Sequence, residues 1–240
     1  MTGASRRLDW SAPAMVTPVK GKAPWTLPNG EVVYFPRGMR QERALEAVSP
    51  GATLLDVGCG RGAVAAALST RFEEVHGVDA DEEMLEEAAR RGLKTRRVDL
   101  NTESLPYEDA SFDTVLCLEV IEHVVEPSAL VREISRVLRP TGRLYVSTPN
   151  IRFVRFLWKL VARGRFPATS SDPEGWQGGH IHFFTFADLE DLVRLAGFRR
   201  VLHHGLAAGP YAWPARRLGS VGREFFAVGI FTEAERTDGA

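Results

Sequence analysis

The sequence has few cysteines, no excess of either charge and no long apolar run. Its two cysteines, Cys59 and Cys117, lie in apolar or glycine-rich segments, so we predict no disulfide framework and a reducing compartment. The 30 basic and 31 acidic residues give a net charge of -1, which excludes a general attraction to nucleic acid or anionic membranes. No stretch approaches the roughly 20 apolar residues of a membrane-spanning helix, and no apolar run follows Arg6 and Arg7 as in a signal peptide. We therefore predict a cytoplasmic protein.

Strand and helix signals alternate through most of the chain, and 44% hydrophobic content in 240 residues suffices for one large core. Short apolar runs predict five strands, at residues 53–57, 74–78, 94–98, 112–118 and 144–148. Helical patterns predict helices at residues 37–48, 63–70, 81–91 and 127–138. Such alternation is typical of βαβ units, so we predict an α/β fold with a mostly parallel sheet and helices on both faces.

The two ends of the chain depart from this alternation. Residues 1–36 are predicted to form an N-terminal arm, irregular to residue 30 because of its prolines, with a short strand at 31–35. Residues 37–240 are predicted to form the catalytic domain, with a lid insertion at about 150–180. After a helix at 186–196, strands are predicted at 199–204 and 224–231. We predict no helix between these last two strands and an antiparallel last strand, which completes a seven-stranded sheet.

A glycine-rich loop, Gly58-Cys59-Gly60-Arg61-Gly62, joins the first predicted strand of the sheet to a helix. Glycines let the backbone turn sharply and approach a ligand at the carboxyl end of a parallel sheet. The loop also fits a relaxed dinucleotide fingerprint, which would admit a pyrophosphate. Asp56 would place a carboxylate near that anion, so a cationic ligand such as S-adenosylmethionine (SAM), with its ammonium and sulfonium groups, is favoured. A tight turn without a ligand is the remaining alternative.

The segment Leu54-Leu55-Asp56-Val57-Gly58-Cys59-Gly60-Arg61-Gly62 resembles the SAM-binding motif of class I SAM-dependent methyltransferases, and further motifs follow in that family's order over about residues 40–200. The resemblance implies a Rossmann-like fold, SAM as cofactor and a methyltransferase activity. It implies that Asp79 binds the ribose hydroxyls and that Asp99 binds the adenine amino group. Asp79 could instead be only a helix N-cap, and Asp99 a solvated turn residue. The predicted cofactor-binding residues are Asp56, Gly58, Cys59, Gly60, Asp79, Ala80, Asp99, Leu100, Leu118 and Glu119.

A second motif, Glu119-Val120-Ile121-Glu122-His123, follows the fourth strand of the predicted sheet. If this segment is helical, Glu119, Glu122 and His123 share one face and can bind a divalent cation. The string resembles that of ubiquinone-type O-methyltransferases and of small-RNA 2'-O-methyltransferases. That resemblance implies Mg2+ or another divalent cation, with His180 as a further ligand. Without a metal, His180 or His182 could be the general base, and His123 could merely pack the helix.

The insertion after the fifth strand of the predicted sheet begins with a basic, aromatic segment. Residues 151–163 are predicted to form a helix whose basic residues share one face. This helix could lie on a membrane surface, as the similar insertion of ubiquinone-type relatives implies, or bind an anionic acceptor, or be an ordinary lid. The aromatic residues proposed to wall the acceptor pocket are Trp10, Trp25, Tyr34 and Trp176.

The sequence as a whole predicts a SAM-dependent methyltransferase that acts on a small molecule. The favoured acceptor atom is a hydroxyl oxygen of a sugar, a natural-product intermediate or a quinone precursor, and the catalytic candidates are Glu119, His123, His180 and His182. Two alternatives remain, an RNA 2'-O-methyltransferase and a SAM-binding regulatory protein without turnover. The near-neutral charge and the absence of a separate basic domain make nucleic acid an improbable partner.

Overall fold

A seven-stranded sheet forms the centre of the fold. The computed structural model describes residues 21–167 and 179–237. The sheet order is β5-β4-β3-β6-β7-β9-β8, and only β9 runs antiparallel to its neighbours. Its strands are β3 (Thr53–Val57), β4 (Glu74–Asp79), β5 (Lys94–Arg97), β6 (Phe112–Leu118), β7 (Leu138–Pro149), β8 (Phe198–Leu206) and β9 (Gly229–Arg236). This sheet confirms the predicted fold class.

Helices cover both faces of the sheet and divide the apolar interior into two layers. One layer packs below α1 (Arg40–Ala47), α2 (Ala63–Leu68) and α3 (Glu82–Arg90), and the other below α4 (Pro127–Val137) and α6 (Phe186–Leu195). The buried positions Leu130, Ile134 and Val137 recur at the three- to four-residue spacing of a helix face. The parallel strands β3 and β6 have buried residues on both faces, as expected of a covered sheet.

The elements on the cofactor side begin and end close to their predicted positions because local signals mark them. The Asp81 side chain caps α3 by accepting a hydrogen bond from the Met84 N–H, and Pro127 occupies the first turn of α4. A 3-10 turn, Ser69–Arg71, extends α2. The β7 strand is longer than predicted, because it begins at Leu138 and passes an irregularity at Thr141, whose φ is +63°.

Two predictions for the ends of the chain are wrong. The arm is not irregular throughout, because β1 (Lys22–Thr26) pairs with β2 (Val32–Pro36), and Pro24 is tolerated on this isolated two-stranded ribbon. The last two strands of the sheet are separated by a 3-10 turn (Gly209–Tyr211) and by α7 (Ala212–Arg217) and α8 (Gly219–Phe226). Pro214 lies in the first turn of α7, where a missing N–H costs little. The last strand therefore starts at Gly229, and Glu224 belongs to α8 instead.

The lid insertion contains one helix, α5 (Val154–Arg163), among the residues that the structure describes between 150 and 167. Its base is fixed by Asn150, which is buried and donates hydrogen bonds to the carbonyls of Glu224 at 2.8 Å and Ala227 at 2.9 Å. None of the helices described is long and apolar enough to cross a membrane.

Candidate active site

The glycine loop folds over the carboxyl ends of β3 and β4. The Gly58 and Cys59 N–H groups both donate to the Val78 carbonyl, at 2.8 and 3.0 Å, and the Gly60 N–H donates to Asp79 Oδ2 at 2.8 Å. Gly58 has φ +69°, and a Cβ there would lie 2.4 Å from Val120 Cγ2. Only glycine fits this position without displacement, because both the backbone angle and the neighbour oppose a side chain.

A cavity of about 270 Å3 opens between this loop and the ends of β4, β5 and β6. It lies where open parallel sheets bind ligands. The carboxylates of Asp79 and Asp99 line the cavity. Asp79 Oδ1 accepts a hydrogen bond from the Asp81 N–H at 3.1 Å, and Asp99 Oδ1 accepts one from the Asn101 N–H at 3.0 Å. The residues that line the cavity are Gly58, Asp79, Ala80, Val98, Asp99, Leu100, Asn101, Glu119, Val120, His123 and Val124.

Asp56 lies beneath the loop and is buried. Burial, and secondarily the charge of Asp79, raise the pKa of the Asp56 carboxyl to about 7. A cation bound above the loop would favour the ionised form of this carboxyl. Asp56 is therefore not part of the cavity wall and could influence a ligand only through its charge.

The segment after β6 is a turn and not the helix that the alignment of Glu119, Glu122 and His123 requires. Glu119 has the left-handed φ of +58°, and the His123 N–H donates to the Val120 carbonyl. The expected i, i+3, i+4 alignment of Glu119, Glu122 and His123 therefore does not form. Glu119 instead accepts a hydrogen bond from the Ser147 hydroxyl at 3.0 Å and pairs with Arg40 Nη1 at 3.5 Å. Burial raises the pKa of Glu119, and Arg40 opposes that rise.

Glu122 is fully buried, and neither of its carboxylate oxygens has a hydrogen-bond partner of good geometry in the part of the chain that the structure describes. Burial, and secondarily the charge of Glu119, raise its pKa to about 8, although the nearby Thr148 hydroxyl lowers it in part. The Glu122 main-chain carbonyl accepts from the N–H groups of Ile181 at 2.8 Å and His182 at 3.2 Å. These bonds bring the histidine segment against the turn.

Glu122, His123 and His180 form the carboxylate–histidine cluster. One ligand atom of each lies within 4.8 Å of the others. The rings of His123 and His180 meet edge to face with centroids 4.5 Å apart. His123 Nδ1 lies 2.9 Å from the Gly179 carbonyl, which can only accept, so this nitrogen carries a proton. Burial, and secondarily the charge of His123, lower the pKa of His180 to about 4, so its ring is neutral at pH 7.

His182 lies outside this cluster. Its Nε2 is 3.2 Å from the Val125 carbonyl, on the far side of the turn. Of the two histidines that the sequence could not separate, the structure therefore brings His180 to the carboxylate–histidine cluster.

Three comparisons with known proteins agree with this geometry. Residues 55–146 match the family model described as a methyltransferase domain. The chain is 33% identical over 169 residues, 67% of each chain, to the ubiquinone biosynthesis O-methyltransferase of Idiomarina loihiensis. It is 34% identical over 178 residues to the demethylmenaquinone methyltransferase of Clavibacter sepedonicus, covering 68% of this chain and 73% of the relative. A SAM-dependent methyltransferase of Thermotoga maritima, a possible histamine N-methyltransferase, superposes with a TM-score of 0.61 at 22% identity, covering 82% and 88% of the two chains.

The chain belongs to the class I SAM-dependent methyltransferases. It is therefore an enzyme whose cofactor is SAM, and the cavity beside the glycine loop has the position of the SAM site in this fold. Six of the residues predicted to bind the cofactor line that cavity: Gly58, Asp79, Ala80, Asp99, Leu100 and Glu119.

Four predicted cofactor residues lie outside the lining. Asp56 and Cys59 support the loop, since the Cys59 sulfur packs 2.8 Å from where a Cβ on Gly77 would be. The other two are Gly60, whose N–H holds Asp79, and Leu118, the last residue of β6.

Sequence reasoning missed Val98, Asn101, Val120 and Val124 as lining residues. Two of them, Val98 and Asn101, could have been found from their position beside Asp99. The others depend on how the turn after β6 folds.

Several predicted residues of the acceptor side lie elsewhere or outside the described residues. Trp10 and Trp176 are among the latter. Trp25 packs with α1 and α2, so it does not wall the cavity, and Tyr34 lies in β2. Arg152 precedes α5 and forms an ion pair with Glu224 at 3.0 Å. It therefore does not belong to the predicted basic face of that helix.

Proposed function

We propose that this enzyme transfers the methyl group of SAM to a hydroxyl oxygen of a small hydroxylated molecule, and that quinone precursors are the leading acceptor class. The observation that carries the proposal is the buried Glu122 carboxyl, which has no hydrogen-bond partner of good geometry among the described residues and lies with two imidazoles at the edge of the SAM cavity. His123 belongs both to this cluster and to the cavity lining, so an acceptor bound at the cluster would lie beside the cofactor. The similarity to a relative named for O-methylation in ubiquinone biosynthesis supports the choice of atom and acceptor.

The cofactor contacts follow from the groups at the cavity. Asp79 presents a carboxylate that can accept two hydrogen bonds from the ribose diol, and Asp99 can accept one from the adenine amino group. The Gly58–Gly62 loop carries the methionine part of SAM, where Asp56 and Glu119 supply negative charge for its ammonium and sulfonium groups. These contacts fix the methyl group, so that transfer requires only an aligned acceptor and the exclusion of water.

The carboxylate–histidine cluster fits a divalent cation. A buried carboxylate without a partner is costly unless a cation or a donor satisfies it, and neutral imidazoles are common metal ligands. The hydrogen bond from His123 Nδ1 to a carbonyl is the outer contact that orients a ligating histidine. Glu122, His123 and His180 would hold the cation, and two imidazoles suit a first-row transition metal better than Mg2+. When bound, the cation would lower the pKa of the acceptor hydroxyl and orient adjacent oxygens.

His180 is the second candidate for activating the acceptor. Its lowered pKa keeps the ring neutral at physiological pH, so it can accept a hydrogen bond from an acceptor hydroxyl, although the same shift makes the ring a weak base. His182 is less suitable, because its ring lies toward the Val125 carbonyl.

Methyl transfer from labelled SAM to catechol tests the proposal directly. We expect an O-methyl product, a loss of activity in EDTA and recovery when Mn2+ is added. Retention of activity in EDTA would assign activation to His180 alone. A product methylated on nitrogen or carbon from acceptors that offer both would contradict the proposed atom, and failure of a folded sample to bind S-adenosylhomocysteine would contradict the cofactor site.

We also propose that α5 contacts a membrane that carries anionic lipids. Among its residues, Trp158 is 54% exposed and Val161 84% exposed, and Arg155, Lys159 and Arg163 provide positive charge with no acid in the helix. Apolar side chains flanked by cations suit the interface of such a membrane. Cosedimentation with phosphatidylglycerol vesicles should fall in Val161→Ser but not in Leu195→Ser, a control with the same exposure on α6. Equal binding of both variants would contradict this role.

A further inference from the structure

A second cleft, of about 460 Å3, lies outside the SAM cavity, between α1, the end of β8 and the α7–α8 pair. We call it the α1–α8 cleft. Gly38 lies at the rim of this cleft. A Cβ on Gly38 would lie 2.3 Å from the carbonyl oxygen of Ala207, the residue that follows β8. Arg43, which lines the cleft, follows Arg40 by three residues on α1, and Arg40 pairs with Glu119 of the active site. Arg40 and Arg43 therefore connect the cleft to the active-site carboxylate Glu119 through neighbouring turns of α1.

The charged groups of the cleft carry a positive balance. Three arginines, Arg43, Arg216 and Arg223, line it together with two acids, Glu42 and Glu46. Both acids are already engaged, because Glu42 accepts from the Gly38 N–H at 2.6 Å and Glu46 accepts from Arg43 Nη1 at 3.2 Å.

The two histidines that line the cleft add no positive charge at neutral pH. Burial lowers the pKa of His203 and lowers that of His204 to about 4, with the charge of Arg43 as the second cause for His204. His203 is also bonded elsewhere, to Thr232 and Glu190.

The guanidinium groups retain unused donors. The Nε atoms of Arg43 and Arg223 are buried and lack a hydrogen-bond partner among the residues described. Arg223 has a 4.0 Å contact with Glu224, and its guanidinium lies over the Phe186 ring, 4.9 Å from the ring centroid. No hydrogen bond or ion pair joins Arg216 to the described part of the chain. Buried donors without acceptors are unfavourable, and an anionic oxygen satisfies them better than a neutral one.

We propose that the α1–α8 cleft binds a carboxylate or phosphate group and that the methyl acceptor carries it. The inference rests on the proposed transfer to a small hydroxylated acceptor and narrows that acceptor to an anionic one. Its basis is the coincidence of three guanidinium groups, two buried Nε donors that lack a partner among the described residues, and the link through α1 from Arg43 to Arg40, which pairs with Glu119. The acceptor hydroxyl would lie at the carboxylate–histidine cluster while its anionic group lies against Arg43, Arg216 and Arg223.

The cleft itself is tested by calorimetry of inorganic phosphate with the full-length protein saturated with S-adenosylhomocysteine. EDTA is included so that a bound metal cannot hold the phosphate. We expect binding that weakens about 10-fold in Arg216→Gln. The matched control is Arg217→Gln, which removes the same charge next to the cleft without changing its lining, and which should leave the affinity within about twofold.

The source of the anion is tested by comparing 3,4-dihydroxybenzoate with catechol in Mn2+ buffer. Tighter binding of the carboxylated acceptor, lost in Arg216→Gln while catechol binding is unchanged, would support the proposal. Phosphate binding without any preference for the carboxylated acceptor would assign the cleft to a separate anion and overturn the acceptor assignment. Absence of phosphate binding, in a protein that still binds S-adenosylhomocysteine, would overturn the cleft as an anion site. Loss of S-adenosylhomocysteine binding from the unmodified protein would instead reject the underlying function.

Discussion

The cofactor side and the acceptor side of the sheet differ in how their polar groups are paired. On the cofactor side, Asp79 accepts hydrogen bonds from two main-chain N–H groups and Asp99 accepts one. Both carboxylates also line the SAM cavity. On the proposed acceptor side, the Glu122 carboxyl oxygens and the Nε atom of Arg43 are buried and lack a hydrogen-bond partner of good geometry among the residues that the structure describes. A site whose groups are already paired is organised before its ligand arrives, whereas unpaired buried groups store a cost that a ligand removes. The acceptor side should therefore lose activity without losing fold or cofactor when such a group is changed.

The largest expected effect is that of Glu122→Gln. The amide keeps the size of the side chain but, unlike the carboxyl, cannot ionise to hold a cation or take up an acceptor proton. We expect kcat to fall at least about 100-fold. Loss of a side chain that only hydrogen-bonds to a metal ligand lowers activity about 10- to 100-fold, and loss of the ligand itself should cost more. Initial rates and calorimetry with S-adenosylhomocysteine provide the measurement, and cofactor affinity should stay within about twofold.

Glu126→Gln is the control for this change, since Glu126 is exposed and makes no capping hydrogen bond at the start of α4. A parallel loss of cofactor affinity in Glu122→Gln would place Glu122 in the cofactor site and remove the contrast between the two sides.

The next effect is on the paired side. Asp79→Asn should weaken S-adenosylhomocysteine binding about 30-fold, because charge-assisted hydrogen bonds to the ribose become neutral and the bond from the Gly60 N–H weakens. Asp81→Asn serves as a control two residues away, since asparagine caps α3 as well as aspartate does. Equal affinity of Asp79→Asn and the unchanged protein, measured by calorimetry, would mean that Asp79 only organises the loop.

The glycine loop allows a test of how far its shape is fixed. Gly58→Ala forces a Cβ to within 2.4 Å of Val120 Cγ2 at φ +69°, whereas at Gly92, with φ +97°, nothing lies within 4 Å of an added Cβ. Both variants carry backbone strain, so their difference isolates the contact. Urea unfolding should show Gly58→Ala about 1–2 kcal/mol less stable than Gly92→Ala. Equal stability would show that Val120 moves aside at little cost.

The cofactor side could be predicted from the sequence because its signals are local. A glycine loop after a buried strand, and acids at the ends of the next two strands, determine positions that the main chain itself fixes. The cluster on the acceptor side could be predicted only in part. Glu122, His123 and His180 were named, but the helix that was to align Glu119 with them is absent, because Glu119 adopts a left-handed conformation.

The contact that decides between His180 and His182 is not a local one. The Glu122 carbonyl accepts hydrogen bonds from residues 181 and 182, about 60 positions later in the chain. Local periodicity holds no information on such a contact. Local signals also failed at α7 and α8, because the glycines and prolines of this segment predicted a connection without a helix between the last two strands.

The smallest expected effect concerns Asp56, which lies beneath the paired side. Its pKa of about 7 means that the carboxyl is protonated below pH 7 in the free protein, while a cationic cofactor favours the ionised form. Affinity for S-adenosylhomocysteine should therefore fall up to about 10-fold from pH 8 to pH 6, as one proton must be released on binding. The Asp56→Asn protein should bind S-adenosylhomocysteine more weakly at pH 8, and its affinity should not change between pH 6 and pH 8.

The same titration affects folding. Because the folded pKa of Asp56 lies above the unfolded value of about 3.9, ionisation opposes folding as pH rises through 7. The free energy of unfolding of Asp56→Asn, relative to that of the unchanged protein, should therefore be higher at pH 8 than at pH 6. If the affinity of Asp56→Asn for S-adenosylhomocysteine still depended on pH, the titrating group would have to lie on the acceptor side. The charge state of the acceptor side would then influence cofactor binding.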